Sequence, residues 1–222
     1  MLFSPLKLLT FAVFVFFVSG CTQKMTDVGS SLAEAFTASD DVTLSSDEIS
    51  VLPYASAYVR INDGRQVFMV LAFADFNLQT GNTKLKWVSA DRSIIVTEKG
   101  RIVKTHGFDH DNLLQLSGSG LNSGVSIEGH WNAVYDWSPD YRYQFEATVS
   151  TKFLTSETLK TSQWTLETKK IEEKVRFTAL DLSFANLFWV ANDGNVMKSI
   201  QYIGPDMNKF EMTILKTFAP NE

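Results

Sequence analysis

A chain of 222 residues with a net charge of −5 has room for one domain or two small ones. The mildly acidic balance speaks against nucleic acid as a partner and against electrostatic docking on anionic lipid. Aromatic residues make up 13% of the chain, and its 17 Phe suit sheets, where rings pack on a pleated surface.

The first twenty residues have the zones of a secretory leader: Lys7 as the lone charge, an apolar run over residues 8–18, then small Ser19 and Gly20. That run is about half of the roughly 20 residues a bilayer-spanning helix needs, so it reads as a leader and not as a permanent span. Val18-Ser19-Gly20-Cys21 resembles the lipobox of bacterial lipoproteins. In that chemistry the thiol takes a diacylglyceryl group, and small residues let the peptidase reach the bond before it. Residues 1–20 are therefore expected to be a signal peptide, and Cys21 the lipid-bearing N-terminus of an exported protein. Cys21 is also the sole cysteine, so the exported body has no disulfide and depends on its core. Loss of Lys7 with the leader moves the charge to −6, leaving membrane attachment to the lipid. Two or three acyl chains hold stably where one is marginal. Thr22, in place of the Asp that retains enteric lipoproteins in the inner membrane, favours outer-membrane sorting.

Residues 21–50 are polar and rich in Ser, Thr and Asp, and read as a tether. Leu32, Ala35 and Phe36 fall at helical spacing, predicting a short helix there. Residues 51–222 are expected to form a single β-domain. Strand-like alternation over residues 54–61 and 66–76 flanks Asn62-Asp63-Gly64, where Asp-Gly supplies the positive φ of a tight hairpin turn. Residues 84–90, 94–97 and 102–105 continue the pattern, with a turn at Glu98-Lys99-Gly100. A helical turn is expected over residues 112–116, before a Gly/Ser loop. Alternation returns over residues 141–152, 162–169 and 174–179, and a third hairpin turns at Asn192-Asp193-Gly194 between residues 187–191 and 196–203. Residues 210–217 form the last strand. About nine to eleven short antiparallel strands, with no long amphipathic helix in the body, predict an all-β barrel-like or sandwich domain.

Three blocks, residues 54–75, 85–108 and 186–205, resemble the YjbF family of bacterial lipoproteins, the group 4 capsule polysaccharide lipoproteins. The middle block (LKWVSADRSIIVTEKGRIVKTHGF) is the most distinctive, and residues 77–83 make a longer connection than is usual for the family. The resemblance implies a β-barrel-like fold, lipid attachment to the outer membrane facing the periplasm, and a part in capsule or exopolysaccharide production. It brings no catalytic residue with it.

The remaining constellations are weak. His106, Asp109, His110 and Asp111 form the densest set of metal-type ligands, yet no further Cys or His completes a recognisable site, and a solvated turn accounts for the same residues. No metal and no cofactor are expected. The glycine-rich stretch over residues 118–124 lacks the pattern of a phosphate loop or a nucleophile elbow; no motif places His130 near a Ser and a carboxylate for hydrolase chemistry, and packing beside Trp131 accounts for it equally well. Trp131, Tyr135, Trp137, Tyr141 and Tyr143 are the candidates for glycan contact, since sugar rings stack on aromatic faces; plugging a barrel end is the competing use. Asp91 and Arg92 are expected to form a surface pair at a turn.

The expected role is that of a non-enzymatic accessory factor that binds an export protein or the growing polysaccharide. The alternatives are a periplasmic glycan-modifying enzyme, for which Glu146, Glu157, Glu167 and Asp181 are available acids, and a carrier using an apolar barrel interior for lipid.

Overall fold

The computed structural model describes residues 41–219 except 110, 139 and 141. The helix expected around Leu32 to Phe36 lies outside the described residues, as does Cys21. A short helix α1 (Ser46–Val51) comes first, followed by strands β1 (Ser56–Ile61), β2 (Gln66–Phe76), β3 (Thr83–Val88), β4 (Ile94–Glu98), β5 (Arg101–His106) and β6 (Asn112–Gly118). After a one-turn helix α2 (Gly120–Ser123) come β7 (Glu128–Ser138), β8 (Arg142–Lys160) and β9 (Thr165–Phe177). A 3-10 turn (Thr178–Leu180) leads to β10 (Leu182–Ala191), β11 (Val196–Tyr202) and β12 (Lys209–Lys216).

All twelve strands belong to one antiparallel sheet in which each strand pairs with its neighbours in sequence. The exception is β1, which also pairs with β12 and so brings the two halves of the chain together. The ends of the sheet, β5 and β6, lie against each other without a ladder, rolling it into a nearly closed barrel. Side chains seal that seam: Thr105 Oγ1 accepts from the Leu113 amide at 2.9 Å, and Asn112 Nδ2 donates to the Phe108 carbonyl at 2.8 Å. Such closure removes the exposed edges that an open sheet of this width would present. The all-β barrel-like expectation holds, with twelve strands in place of nine to eleven.

The missing strands have physical explanations. Residues 112–116 form part of β6 and not a helical turn. A bulge between Leu113 and Gln115 lets Leu113 and Leu116, three apart, both turn inward, which imitates helical spacing. The aromatic cluster of residues 131–137 is the inner face of β7, where Trp131, Ala133, Tyr135 and Trp137 alternate with outward residues. Strands β8 and β9 pair from Thr148 to Lys160, one continuous long hairpin where sequence periodicity broke into shorter stretches.

Turn chemistry sets the hairpins. At the first, Asn62 and Asp63 take the positive φ (50° and 61°), so the left-handed pair is Asn-Asp and not Asp-Gly. At the β4–β5 turn, Lys99 and Gly100 are both left-handed (φ 46° and 84°), and a Cβ on Gly100 would lie 2.3 Å from Val196 Cγ2. Glycine is required there twice over, for conformation and for space.

The described part of the expected tether is laid on the barrel wall. The Val42 amide donates to the Gln66 carbonyl at 3.1 Å, and the Leu44 amide to the Tyr58 hydroxyl at 2.7 Å. Val42, Leu44, Ile49 and Leu52 are buried, and Phe68 on the outer side of β2 is fully covered. Helix α1 starts with a capping box in which Ser45 and Glu48 satisfy each other's backbone amides. The folded body thus begins no later than Asp41, ahead of the boundary at residue 51.

Candidate functional site

The barrel has a closed base and an open mouth. The base lies where β7, β9 and β11 finish, and aromatic side chains fill it. Trp137 is fully buried, with ring centroids 5.2 Å from Phe145, 5.3 Å from Phe177 and 5.7 Å from Tyr135, and its indole donates to the Ile203 carbonyl at 2.7 Å. Phe184 adds contacts to Tyr135, Phe177 and Tyr202. Such edge and tilted arrangements are the ones the ring quadrupoles favour.

Above the plug lies a buried ion pair. Arg101 begins β5 facing inward with Val103 and Thr105, and Glu173 alternates inward with Ile171, Val175 and Phe177. Arg101 Nη2 is 2.7 Å and Nε 2.8 Å from the Glu173 carboxylate, each side chain being 2% exposed. Asn186 Nδ2 approaches the other Glu173 oxygen at 3.5 Å, and the guanidinium lies over Trp131 and Phe188. Two charges survive here because both are hydrogen-bonded and paired. Gln201 works beside them, accepting from the Ile102 amide at 2.9 Å and donating to the Gly100 carbonyl at 3.0 Å, which ties the seam strand β5 to β11 across the barrel. Burial and the negative charge of Glu173 push the Tyr135 phenol far above its ordinary value, against the opposing effect of Arg101.

The mouth lies at the opposite end, where the turns after β2, β4 and β10, the residues following α2 and the end of β12 meet. They surround a cavity of about 520 Å³. Leu85, Trp87, Val125, Val196, Ile214 and Phe218 give it apolar walls; Asn82, Thr83, Thr97, Ser123, Asn195 and Thr217 give it amides and hydroxyls. Its charged groups are Lys99 and Asp193. The rim is braced by Asn82, which donates to Glu98 at 2.7 Å and to Asn122 at 3.0 Å, and by Lys99, which donates to the Asn122 carbonyl. A cavity of this size with apolar walls and a few polar groups suits a small organic ligand or a short stretch of a polymer. A second cavity, about 420 Å³, lies along β2 between Pro53, Tyr54, Leu71, Phe73 and Phe218.

The structure redistributes the candidates for glycan contact. Tyr135 and Trp137 are interior, with their faces covered by other aromatics, and Trp131 is taken up by Arg101 and by close contact with Gly118 and Gly120. These three serve as packing, because the period-two pattern of β7 turns them into the barrel. Tyr143 is exposed at the base end, and Tyr141 lies outside the described residues. His130 faces outward near the start of β7, opposite Ser150, and is exposed. His106, Asp109 and Asp111 lie at the β5–β6 connection, and His110 is outside the described residues. The expected Asp91–Arg92 pair does not form: Asp91 instead accepts from the Ser89 hydroxyl and the Ser93 amide, closing its own turn. Burial works against the ionised Asp91, but those hydrogen bonds outweigh it and hold the carboxyl below its usual range.

The acids considered for glycosidase chemistry also find places elsewhere. Glu157 accepts from the Trp189 indole at 2.7 Å and from Lys170 at 3.0 Å on the outer wall, Glu167 accepts from Thr158, and Asp181 pairs with Arg176 at 3.4 Å. Neither cavity is lined by two carboxylates. The mouth cavity and the Arg101–Glu173 pair are not among the sites the sequence suggests. The inward alternation of Ile171, Glu173, Val175 and Phe177 was the available signal for Glu173; nothing local marked the mouth.

The model of the family described as group 4 capsule polysaccharide lipoprotein gfcB, YjbF, matches residues 29–215. The uncharacterized lipoprotein GfcB of Escherichia coli K12 is 30% identical over 216 residues, covering 94% of this chain and 97% of its own. The uncharacterized lipoprotein YjbF of the same organism is 27% identical over 205 residues, covering 90% and 92%. The crystal structure of the hypothetical lipoprotein YmcC from Escherichia coli K12 superposes with a TM-score of 0.68 at 28% identity, covering 90% of this chain and all of that one. The chain belongs to the YjbF family of group 4 capsule polysaccharide lipoproteins.

Proposed function

We propose that the protein is a non-enzymatic accessory factor in capsule or exopolysaccharide assembly or export, anchored to the outer membrane through lipid on Cys21 and facing the periplasm. The observation that carries this reading is the family match over residues 29–215, behind a leader that ends in a lipobox at Cys21. Thr22 supports the outer-membrane destination. The barrel geometry supports a binding role over a catalytic one. Asp193 is the one carboxylate lining the mouth, whereas glycoside hydrolysis calls for two placed across a cleft. A lipid-carrying interior is disfavoured by the aromatic plug and the buried ion pair that occupy it.

The direct test is deletion of the gene in a capsule-producing host, with complementation by the natural sequence and by Cys21→Ala. Surface polysaccharide is expected to fall on deletion and to return only with the natural sequence. Unchanged polysaccharide in the deletion strain would remove the proposed role. Mass spectrometry of the purified protein is expected to find an acylated N-terminus at residue 21.

A further inference from the structure

The wall of the mouth cavity carries polar groups that the fold leaves unpaired. Asn82 is 2% exposed, and its side-chain nitrogen donates both to Glu98 at 2.7 Å and to Asn122 Oδ1 at 3.0 Å. Those two acceptors hold the nitrogen edge of the amide, so the oxygen edge is turned away from them. That oxygen accepts from no side chain or amide of the described residues. Thr97, 4% exposed, accepts from the Trp87 indole at 2.9 Å, and its own O–H meets no acceptor among them. The Thr83 hydroxyl, half-buried on the same wall, has no partner there either. Nearly every buried polar group in a folded protein is paired, so open ones facing a single cavity point to a polar occupant.

Between these groups the wall is apolar, with Trp87 and Phe218 supplying rings and Leu85, Val125 and Ile214 supplying aliphatic surface. Rings interleaved with single donors and acceptors match the two aspects of a pyranose. Its C–H faces lie on aromatic surface, and its hydroxyl edge both donates and accepts. Charge narrows the class further. Asp193 uses both carboxylate oxygens on Asn195, at 2.9 Å to the amide and 2.8 Å to Nδ2, so it offers little to a cation. The one cation of the wall, Lys99, is tied to the Asn122 carbonyl. An acyl chain would cover the rings and leave the Asn82 and Thr97 groups buried without partners, which is unfavourable. The entrance is wide, since no atom lies within 4 Å of where a Cβ would stand on Gly81 or Gly194.

We infer that the mouth cavity is a saccharide site. It takes a short run of uncharged sugar rings, with ring faces toward Trp87 and Phe218 and hydroxyls on Asn82, Thr83 and Thr97. The inference deepens the accessory role proposed above and rests on it for the choice of polysaccharide. Glu98 and Asn122 are positioning residues, because they fix which edge of the Asn82 amide faces the cavity. Glu98 is itself buried and lies 4.0 Å from Lys84, so its charge is balanced outside the site. The wall joins β3 and β4 to the ends of β11 and β12, so the site exists only once the barrel has closed. A weak site is sufficient for a long polymer, since copies anchored on one membrane can hold successive repeats of the same chain.

The test is saturation-transfer NMR on the full-length protein in nanodiscs, with oligosaccharides released by mild acid from the host's own surface polysaccharide as the probe. Saturation is expected to reach the sugar ring protons. Thr217→Trp and Ser123→Trp fill the mouth from exposed positions on different segments, and either one that keeps the natural circular dichroism spectrum is expected to abolish the transfer. Thr83→Val removes one unpaired hydroxyl and is expected to weaken binding about two- to tenfold. Tyr143→Ala, at the exposed aromatic of the base end, is expected to change nothing. Loss of transfer with Tyr143→Ala and not with the mouth variants would overturn the inference in favour of a sugar site at the base. No transfer to any oligosaccharide fraction would overturn it outright, and transfer to dodecanoate alone would replace it with an acyl-chain site. The accessory role is judged separately, on the deletion strain. A deletion that lowers surface polysaccharide beside a mouth that binds no sugar keeps the role and removes the site, and binding without a deletion phenotype does the reverse.

Discussion

The two ends of the barrel solve opposite problems with the same strands. At the base, Trp137, Tyr135, Phe177 and Phe184 pack ring against ring and leave no room for solvent. At the mouth, long hairpins overrun their neighbours, and turns carrying Asn82, Lys99, Asp193 and Asn195 hold open a cavity. Between the two lies the Arg101–Glu173 pair, whose charges act on Tyr135 of the plug and whose Arg101 follows Gly100 of the cavity wall. The lesson is that stability and binding are separated along the barrel axis. The base is dense with rings, whereas the mouth shares core residues such as Trp87 in its wall and leaves its turns open.

Substitutions at the two ends should therefore differ sharply. Trp137→Ala is expected to cost about 3–5 kcal/mol, since it deletes a fully buried ring and its hydrogen bond to Ile203, and chemical denaturation followed by circular dichroism would measure it. A loss near that of a surface mutant would mean that the base is not the centre of stability. Glu173→Leu should cost about 3–5 kcal/mol by leaving Arg101 buried without a counter-charge, and adding Arg101→Met should recover most of it. If the double variant is no better than the single one, the pair acts through shape and not through charge.

Acid probes the wall segment between these extremes. The Asp41 carboxyl is held below its ordinary value by its hydrogen bonds to the Arg60 guanidinium and the Gln66 amide, and Glu48 by Ser45. Because both folded values are lowered, their stabilisation is complete above the ordinary carboxylate range, about pH 4, and is lost as pH falls through the lower folded values. Hydrogen exchange at Val42 and Leu44 is expected to accelerate in that acid window before the barrel strands respond. The smallest effect belongs to the mouth, where Asp193→Asn at an exposed turn should change stability by less than about 0.5 kcal/mol. A larger change there would break the division between the two ends.

Most hairpins could be read from the residues, because turn chemistry is local. Lys99-Gly100 and the Asn-Asp-Gly segments fix left-handed backbone wherever they occur. Strand β6 imitates a helical turn because its bulge lets Leu113 and Leu116 share a face, and a bulge is chosen by the partner strand. The aromatics of β7 were visible as a group, but whether they faced solutes or the core depended on which side of the sheet closed inward.

The amino-acid order by itself determined the antiparallel all-β character and the family, since each rests on short-range spacing or residue identity, and the proposal of a lipid on Cys21 rests on it alone. Only the tertiary structure decided that β12 returns to pair with β1, and that Arg101 and Glu173, 72 residues apart, meet inside the barrel. The same closure leaves one end plugged and the other open. Those outcomes depend on how twisted strands close around a shared interior, and no stretch of sequence carries that information alone.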